Sequence, residues 1–239
     1  MQSKTSGIIL STIKYSDSAT IATVYTEQFG RISYMVYAIN KKKSGSRAAL
    51  LQPLTIVEME VKHIPGKEIQ QIKEMRIGHA FNSIPFSPIK NSIALFIAEI
   101  LYKSLRQSEP DDNLYNFLEN SILQLDMSQD GIHNFHLVFL QKLTRYLGFE
   151  PNEEVEGKYF DLINGVFLTE KPLHTHYLLP EVSLHFSALL ATDYQNMDSL
   201  ILHREERANL LKSMIDYYRL HVPEFHNLNS LEVLKSLFD

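Results

Sequence analysis

The sequence predicts two domains: a small, closed, all-β barrel over residues 1–79 and a mainly α-helical domain over 80–239, with a small β insertion at about 152–178. Three observations carry this. Apolar and polar residues alternate in the first third, the period of a half-buried strand. Beyond residue 88 the apolar residues recur at helical spacing. Charge divides near the same place. Residues 1–79 hold eleven Lys/Arg against six Asp/Glu, a net +5, and residues 80–239 hold twelve against twenty-two, a net −10.

Taken in order, Gly7 to Ile13 and Ala19 to Thr26 are rich in β-branched residues, as strands are. Glu27-Gln28-Phe29-Gly30 reads as a turn, with Gly30 free to take positive φ. Arg31 to Ile39 returns as a strand. In Leu54 to Ile64, Val57, Met59 and Val61 point one way and Glu58, Glu60 and Lys62 the other. Pro65-Gly66 turns the chain into a last strand, Lys67 to Ile77. Five short strands in under eighty residues fit the OB fold, the commonest five-stranded closed barrel.

Pro85 and Pro88 punctuate the change of texture. Ile89, Ile93, Phe96, Ile97, Ile100, Leu101 and Leu105 then mark one helix, and Leu114 to Leu125 a second. A third runs from Ile132 to Leu147 and stops at Gly148 and Pro151. Tyr159 to Thr169 reads as a hairpin turning at Asn164-Gly165. Leu184 to Leu190 is a short helix, Ser199 to His221 a long one, and Asn229 with Glu232 opens a terminal helix to Phe238.

Composition narrows the function. At 44% apolar and 21% charged residues, the chain is of ordinary globular type. It has no cysteine, hence no disulfide and no thiolate metal site. The start, Met1 to Gly7, is polar, and the apolar run Ile93 to Ala98 is far short of the ~20 residues that span a bilayer. A soluble cytoplasmic protein with no membrane partner is expected.

No phosphate loop, GxSxG, HExxH or dinucleotide fingerprint occurs, so no enzyme activity and no cofactor are expected. Glu153-Glu154 and Asp111-Asp112 read as solvated loop charges. His133 with His136, and His174 with His176, offer the ligands of a metal-dependent hydrolase. No acidic or thiol ligand is spaced with them in a zinc pattern, so no metal is expected either.

The strongest local feature is Asn40-Lys41-Lys42-Lys43-Ser44-Gly45-Ser46-Arg47. Lys41, Lys42, Lys43 and Arg47 suit contact with a phosphate backbone, although a solubilising turn would carry the same residues. Tyr34 and Tyr37 are expected to share one face of the preceding strand and are candidates for stacking on unpaired bases, or for barrel core. Arg31 and Lys14 are weaker nucleic-acid candidates. A barrel that binds RNA, and a protein-interaction adaptor, are the alternatives.

Several segments resemble a known family. Val24-Tyr25-Thr26-Glu27-Gln28-Phe29-Gly30-Arg31-Ile32 looks like the second and third strands of the RecO proteins, with their Thr-Glu-x-x-Gly-Arg hairpin. Lys41 to Lys43 followed by Leu51-Gln52-Pro53-Leu54 resembles the family's basic loop and the strand start after it. Leu147-Gly148-Phe149-Glu150-Pro151 resembles the end of its central helix. The order and spacing of the pieces fit over the whole chain.

The resemblance implies a nucleoid-associated DNA-repair mediator, free of nucleotide. It would bind single- and double-stranded DNA, anneal complementary strands, and engage the acidic C-terminal tail of single-stranded DNA-binding protein. With RecR it would help RecA onto DNA. Some members place a four-cysteine zinc site in the insertion after the central helix. Asn152 to Leu178 has no cysteine, so Tyr159, Phe160, Val166 and Phe167 are expected to form an apolar mini-core instead. An acidic tail needs a cation beside an apolar pocket. Lys142 and Arg145, near Phe135, Phe139 and Leu143 in an acidic domain, are the expected partner-binding residues.

Overall fold

A computed structural model describes residues 2–37, 48–106, 109–152 and 157–238. Five strands, β1 (Gln2–Lys14), β2 (Ala19–Thr26), β3 (Gly30–Tyr37), β4 (Ile56–Lys62) and β5 (Ile69–Ile77), close into a barrel of order β1-β2-β3-β5-β4. Four pairings are antiparallel. The fifth, β3 with β5, is parallel through Ser33↔Ile69, which is the closure an OB barrel requires.

β1 serves two neighbours: Gln2 to Ile8 pair with β4, and Gly7 to Lys14 with β2. It begins earlier than the expected Gly7, because ladder bonds to β4 hold the polar stretch Gln2 to Ser6 without an apolar alternation. A register shift between Ile9 and Ser11 bends the strand between its partners. Gly7 pairs with both, and a Cβ there would lie 2.6 Å from Val24 Cγ1. Alternation sends Ile9, Ala22, Val24, Tyr34, Val36, Val57, Met59 and Val61 inward as one core.

The turns are held locally. Gly30 has φ 62°, as the sequence predicts, and Thr26 Oγ1 accepts from the Phe29 N–H (3.1 Å) and donates to the Gly30 carbonyl (2.9 Å). The β4–β5 loop depends on the buried Gln70. Its amide donates to the Ile64 and Lys67 carbonyls and accepts from the Ile64 N–H, each within 2.8 Å.

Packing divides the chain into two compact units, 1–126 and 127–239. The change of texture at 79/80 marks the end of the last barrel strand, but helices α1 (Pro88–Ser104) and α2 (Asp112–Met127) belong almost wholly to the first unit. α1 starts with Pro88 after the cap Ser87, whose side chain accepts from the Lys90 N–H. The buried Asp126 carboxylate accepts from the N–H groups of Asn82, Ser83 and Ile84, which hold its pKa low against the opposing effect of burial.

In the second unit a 3-10 turn, Ile132–Asn134, leads into α3 (Phe135–Leu147), closed by Gly148 at φ 81°. A three-stranded sheet of order β7-β6-β8 follows: β6 (Tyr159–Asp161), β7 (Val166–Leu168) and β8 (Tyr177–Leu178). Then come α4 (Pro180–Leu190), α5 (Arg204–His221) and α6 (Ser230–Phe238). α4 starts before the expected Leu184 because Pro180 suits the first helical turn. α5 starts later than Ser199 because His203 and Glu206 form a capping box.

Candidate nucleic-acid interface

On the outer face of β1, β2 and β3, alternation and register place residues in rows. The first row is Ile8, Tyr25 and Arg31, and a later one is Ile13, Ile21 and Met35. Beyond it Ala19 lies opposite Tyr37, and Tyr15 is tied to Ala19 by a 3.0 Å bond from its N–H to the Ala19 carbonyl. The two ends of this face differ. At the first row, Ile8 and Tyr25 are fully buried and Tyr25 stacks on Tyr115 of α2, ring centroids 6.4 Å apart. Arg31 sits 4.4 Å over the Tyr102 ring of α1 and donates to the Tyr102 carbonyl at 2.8 Å. At the other end, Ile13 is 58% exposed, Tyr15 66% and Tyr37 51%.

The barrel and the helices after it each match one half of a known family. A family model for the N-terminal part of recombination protein O covers residues 1–81, and one for its C-terminal part covers residues 85–232. Proteins named DNA repair protein RecO are similar along the whole length. Those of Phocaeicola vulgatus and Bacteroides fragilis are 41% identical over all of both chains. That of Flavobacterium psychrophilum is 38% identical, again over all of both chains. The chain belongs to the RecO family. It is a DNA repair protein with an OB-type barrel followed by a mostly helical region.

Among the described residues of this RecO-family chain, the expected nucleic-acid residues Lys14, Arg31, Tyr34 and Tyr37 do not share one place. Lys41, Lys42, Lys43 and Arg47 lie outside the described residues. Lys14 is exposed and pairs with Asp17 at 2.8 Å. Arg31 is drawn into the contact between barrel and α1, where burial lowers its pKa. Tyr34 needs correcting. It is fully buried in the barrel core, where burial pushes its phenol pKa up, and no base can reach it. Tyr37 is exposed. A separation of three residues puts two strand side chains on opposite faces, so Tyr34 and Tyr37 do not share one. Sequence reasoning misses Tyr15, although an aromatic residue opening the polar turn Tyr15-Ser16-Asp17-Ser18 is a signal in itself.

In the second RecO-family unit, Phe135, Phe139 and Leu143 are fully buried core residues. Lys142 is engaged by Asp193 at 3.2 Å and lies 5.7 Å from the Tyr194 ring centroid, whereas Arg145 is exposed. The histidines separate as well. His136 is fully buried, and burial, with Arg207 and His133 adding, lowers its pKa to about 3. His174 faces Asp161 at 3.2 Å and accepts from the His176 N–H. Among the described residues no three His, Cys, Asp or Glu side chains gather where they could hold a metal ion. In the insertion Phe160 meets Phe167 at 4.9 Å and Phe186 at 4.3 Å, so the mini-core draws on α4. No helix among the described residues is long and apolar enough to cross a membrane.

Proposed function

We propose that the chain is a DNA-binding recombination mediator that works by binding, without catalysis and without a cofactor. It binds single- and double-stranded DNA and anneals complementary strands. It engages RecR and the acidic C-terminal tail of single-stranded DNA-binding protein, and so helps RecA onto DNA. The observation that carries this reading is the uncovered end of the barrel face at Tyr37, a few residues before the four cations Lys41, Lys42, Lys43 and Arg47. Lysines in such a stretch neutralise phosphates and release counterions, which gives affinity without sequence preference. Binding energy alone drives an exchange of proteins on DNA, so the reading requires no bond-making step. For the acidic tail, Arg145 is the more available cation, since Lys142 already faces Asp193.

The test is a DNA-binding titration across salt concentrations with the unaltered chain and with Lys41, Lys42, Lys43 and Arg47 all changed to Ala. The unaltered chain should bind far more weakly as salt rises. The quadruple variant should bind more weakly still, with a log–log slope shallower by about 0.7 for each single-strand phosphate it no longer neutralises. An unchanged slope would remove this loop from the interface, and no salt-dependent binding by the unaltered chain would refute the mediator reading.

A further inference from the structure

We propose that Tyr15 and Tyr37 form a stacking site for unpaired bases, so that the open end of the barrel face distinguishes single-stranded from double-stranded DNA. The proposal rests on the DNA-binding reading above and adds a division of labour to it. Cations attract any phosphate backbone, paired or not. A preference for single strands needs groups that only an unpaired base can reach, and aromatic side chains on an open strand face are such groups.

The geometry supplies them. Tyr15, Ala19 and Tyr37 lie side by side across three neighbouring strand ends. The two tyrosines therefore stand about two strand spacings apart, roughly 10 Å at their Cα atoms. Ala19 between them offers only a methyl group and is itself buried. The next row, Ile13, Ile21 and Met35, continues the apolar surface along the strands, with Ile13 more than half exposed.

Rings this exposed contribute little to the fold. Tyr25, on the same face at its other end, is fully buried under Tyr115. Charge favours a polyanion as the occupant: residues 1–79 carry a net +5 in a chain whose total is −5. Lys14, next to Tyr15 in sequence, alternates to the other side of the strand end, and its pairing with Asp17 is solvent-exposed and easily exchanged for a phosphate. A base seated against either ring thus has a π face beneath it, in a stretch of sequence whose net charge is positive. In a duplex the bases keep their faces stacked on one another and present none to the tyrosines.

Tyr15→Ala, Tyr37→Ala and the double variant should be titrated with an oligo-dT strand and with a blunt duplex of the same length, each at several salt concentrations. The double variant should bind the strand at least about 25-fold more weakly, with each ring contributing roughly 5- to 150-fold. Its salt slope on the strand should match that of the unaltered chain, because the same phosphates stay neutralised, and its duplex affinity should stay within twofold. Tyr15→Phe with Tyr37→Phe should restore single-strand binding, since phenylalanine keeps the π face.

The chain has no tryptophan, so Tyr15→Trp provides a single reporter whose emission should change with oligo-dT and not with duplex. Single-strand affinity within twofold of the unaltered chain in the double Ala variant would overturn this proposal and leave the mediator reading standing. Equal weakening on strand and duplex would overturn it too. Absence of salt-dependent DNA binding by the unaltered chain would overturn both.

Discussion

The two ends of one sheet face use the same residue types for opposite ends. Ile8 and Tyr25 are buried and Arg31 is half-buried against α1, whereas Ile13, Tyr15 and Tyr37 stand in solvent at the other end of that face. Nothing in the alternation of β1, β2 and β3 separates these sets. What separates them is chain that arrives much later: Tyr102 is 71 residues from Arg31. A tyrosine in a β-strand therefore has no fixed role. Cover from another element makes it core, and the lack of cover leaves it able to meet a ligand.

The contrast is broken most easily through stability. Tyr25→Ala should cost about 3–5 kcal/mol, the usual range for removing a buried aromatic side chain. Tyr37→Ala and Tyr15→Ala should each stay within about 0.5 kcal/mol. Urea denaturation of the three variants checks this, and equal costs would mean that the two ends are covered alike. Arg31→Ala should cost about 2 kcal/mol, because it removes both the cation–π pairing and the hydrogen bond to the Tyr102 carbonyl. It should leave the salt slope of DNA binding unchanged. A slope reduced as far as in a loop variant would move Arg31 from the structural end of the face to the binding surface.

The helical unit holds the same contrast between a buried residue and an exposed one, in His136 and Arg145, and pH sharpens it. The folded-state pKa of His136 is lowered to about 3, first by burial. In the unfolded chain it titrates near about 6.5. The folded state therefore binds fewer protons between these values, and stability rises with pH across the window. The contribution is fully present above about pH 6.5 and declines as pH falls toward 3, by about 2 kcal/mol at pH 5. Denaturant midpoints between pH 7 and 5 should fall accordingly. His136→Gln should flatten that fall, and an unaltered pH slope in this variant would place the protonation elsewhere.

Much of the fold was legible because strand and helix periods are local. The alternation around Val57, Met59 and Val61 names a strand and its inner face, and Gly30 opens β3 and Gly148 closes α3 where positive φ is needed. The start of β1 was not legible, because ladder bonds to β4 define it and apolar side chains do not.

The site divides the same way. Strict use of the two-residue period puts Tyr34 and Tyr37 on opposite faces, so the sequence held that answer. It also held the place of His136, three residues before Phe139 and seven before Leu143 on the buried stripe of α3. Arg31 could not be read in advance. Its partner is a carbonyl and a ring on a distant helix, and a single sequence carries no trace of that pairing.

The central claim is that DNA meets the open end of the barrel face. Methyl NMR of the full chain, titrated with an unpaired oligonucleotide at low salt, tests it most directly. Ile13, Ile21 and Met35 report on the open end, Ile8 on the covered end and Ile9 on the core. The resonances of Ile13, Ile21 and Met35 should shift progressively with added DNA while those of Ile8 and Ile9 stay in place. Shifts confined to methyl groups of residues 127–239, with these three unmoved, would contradict the account.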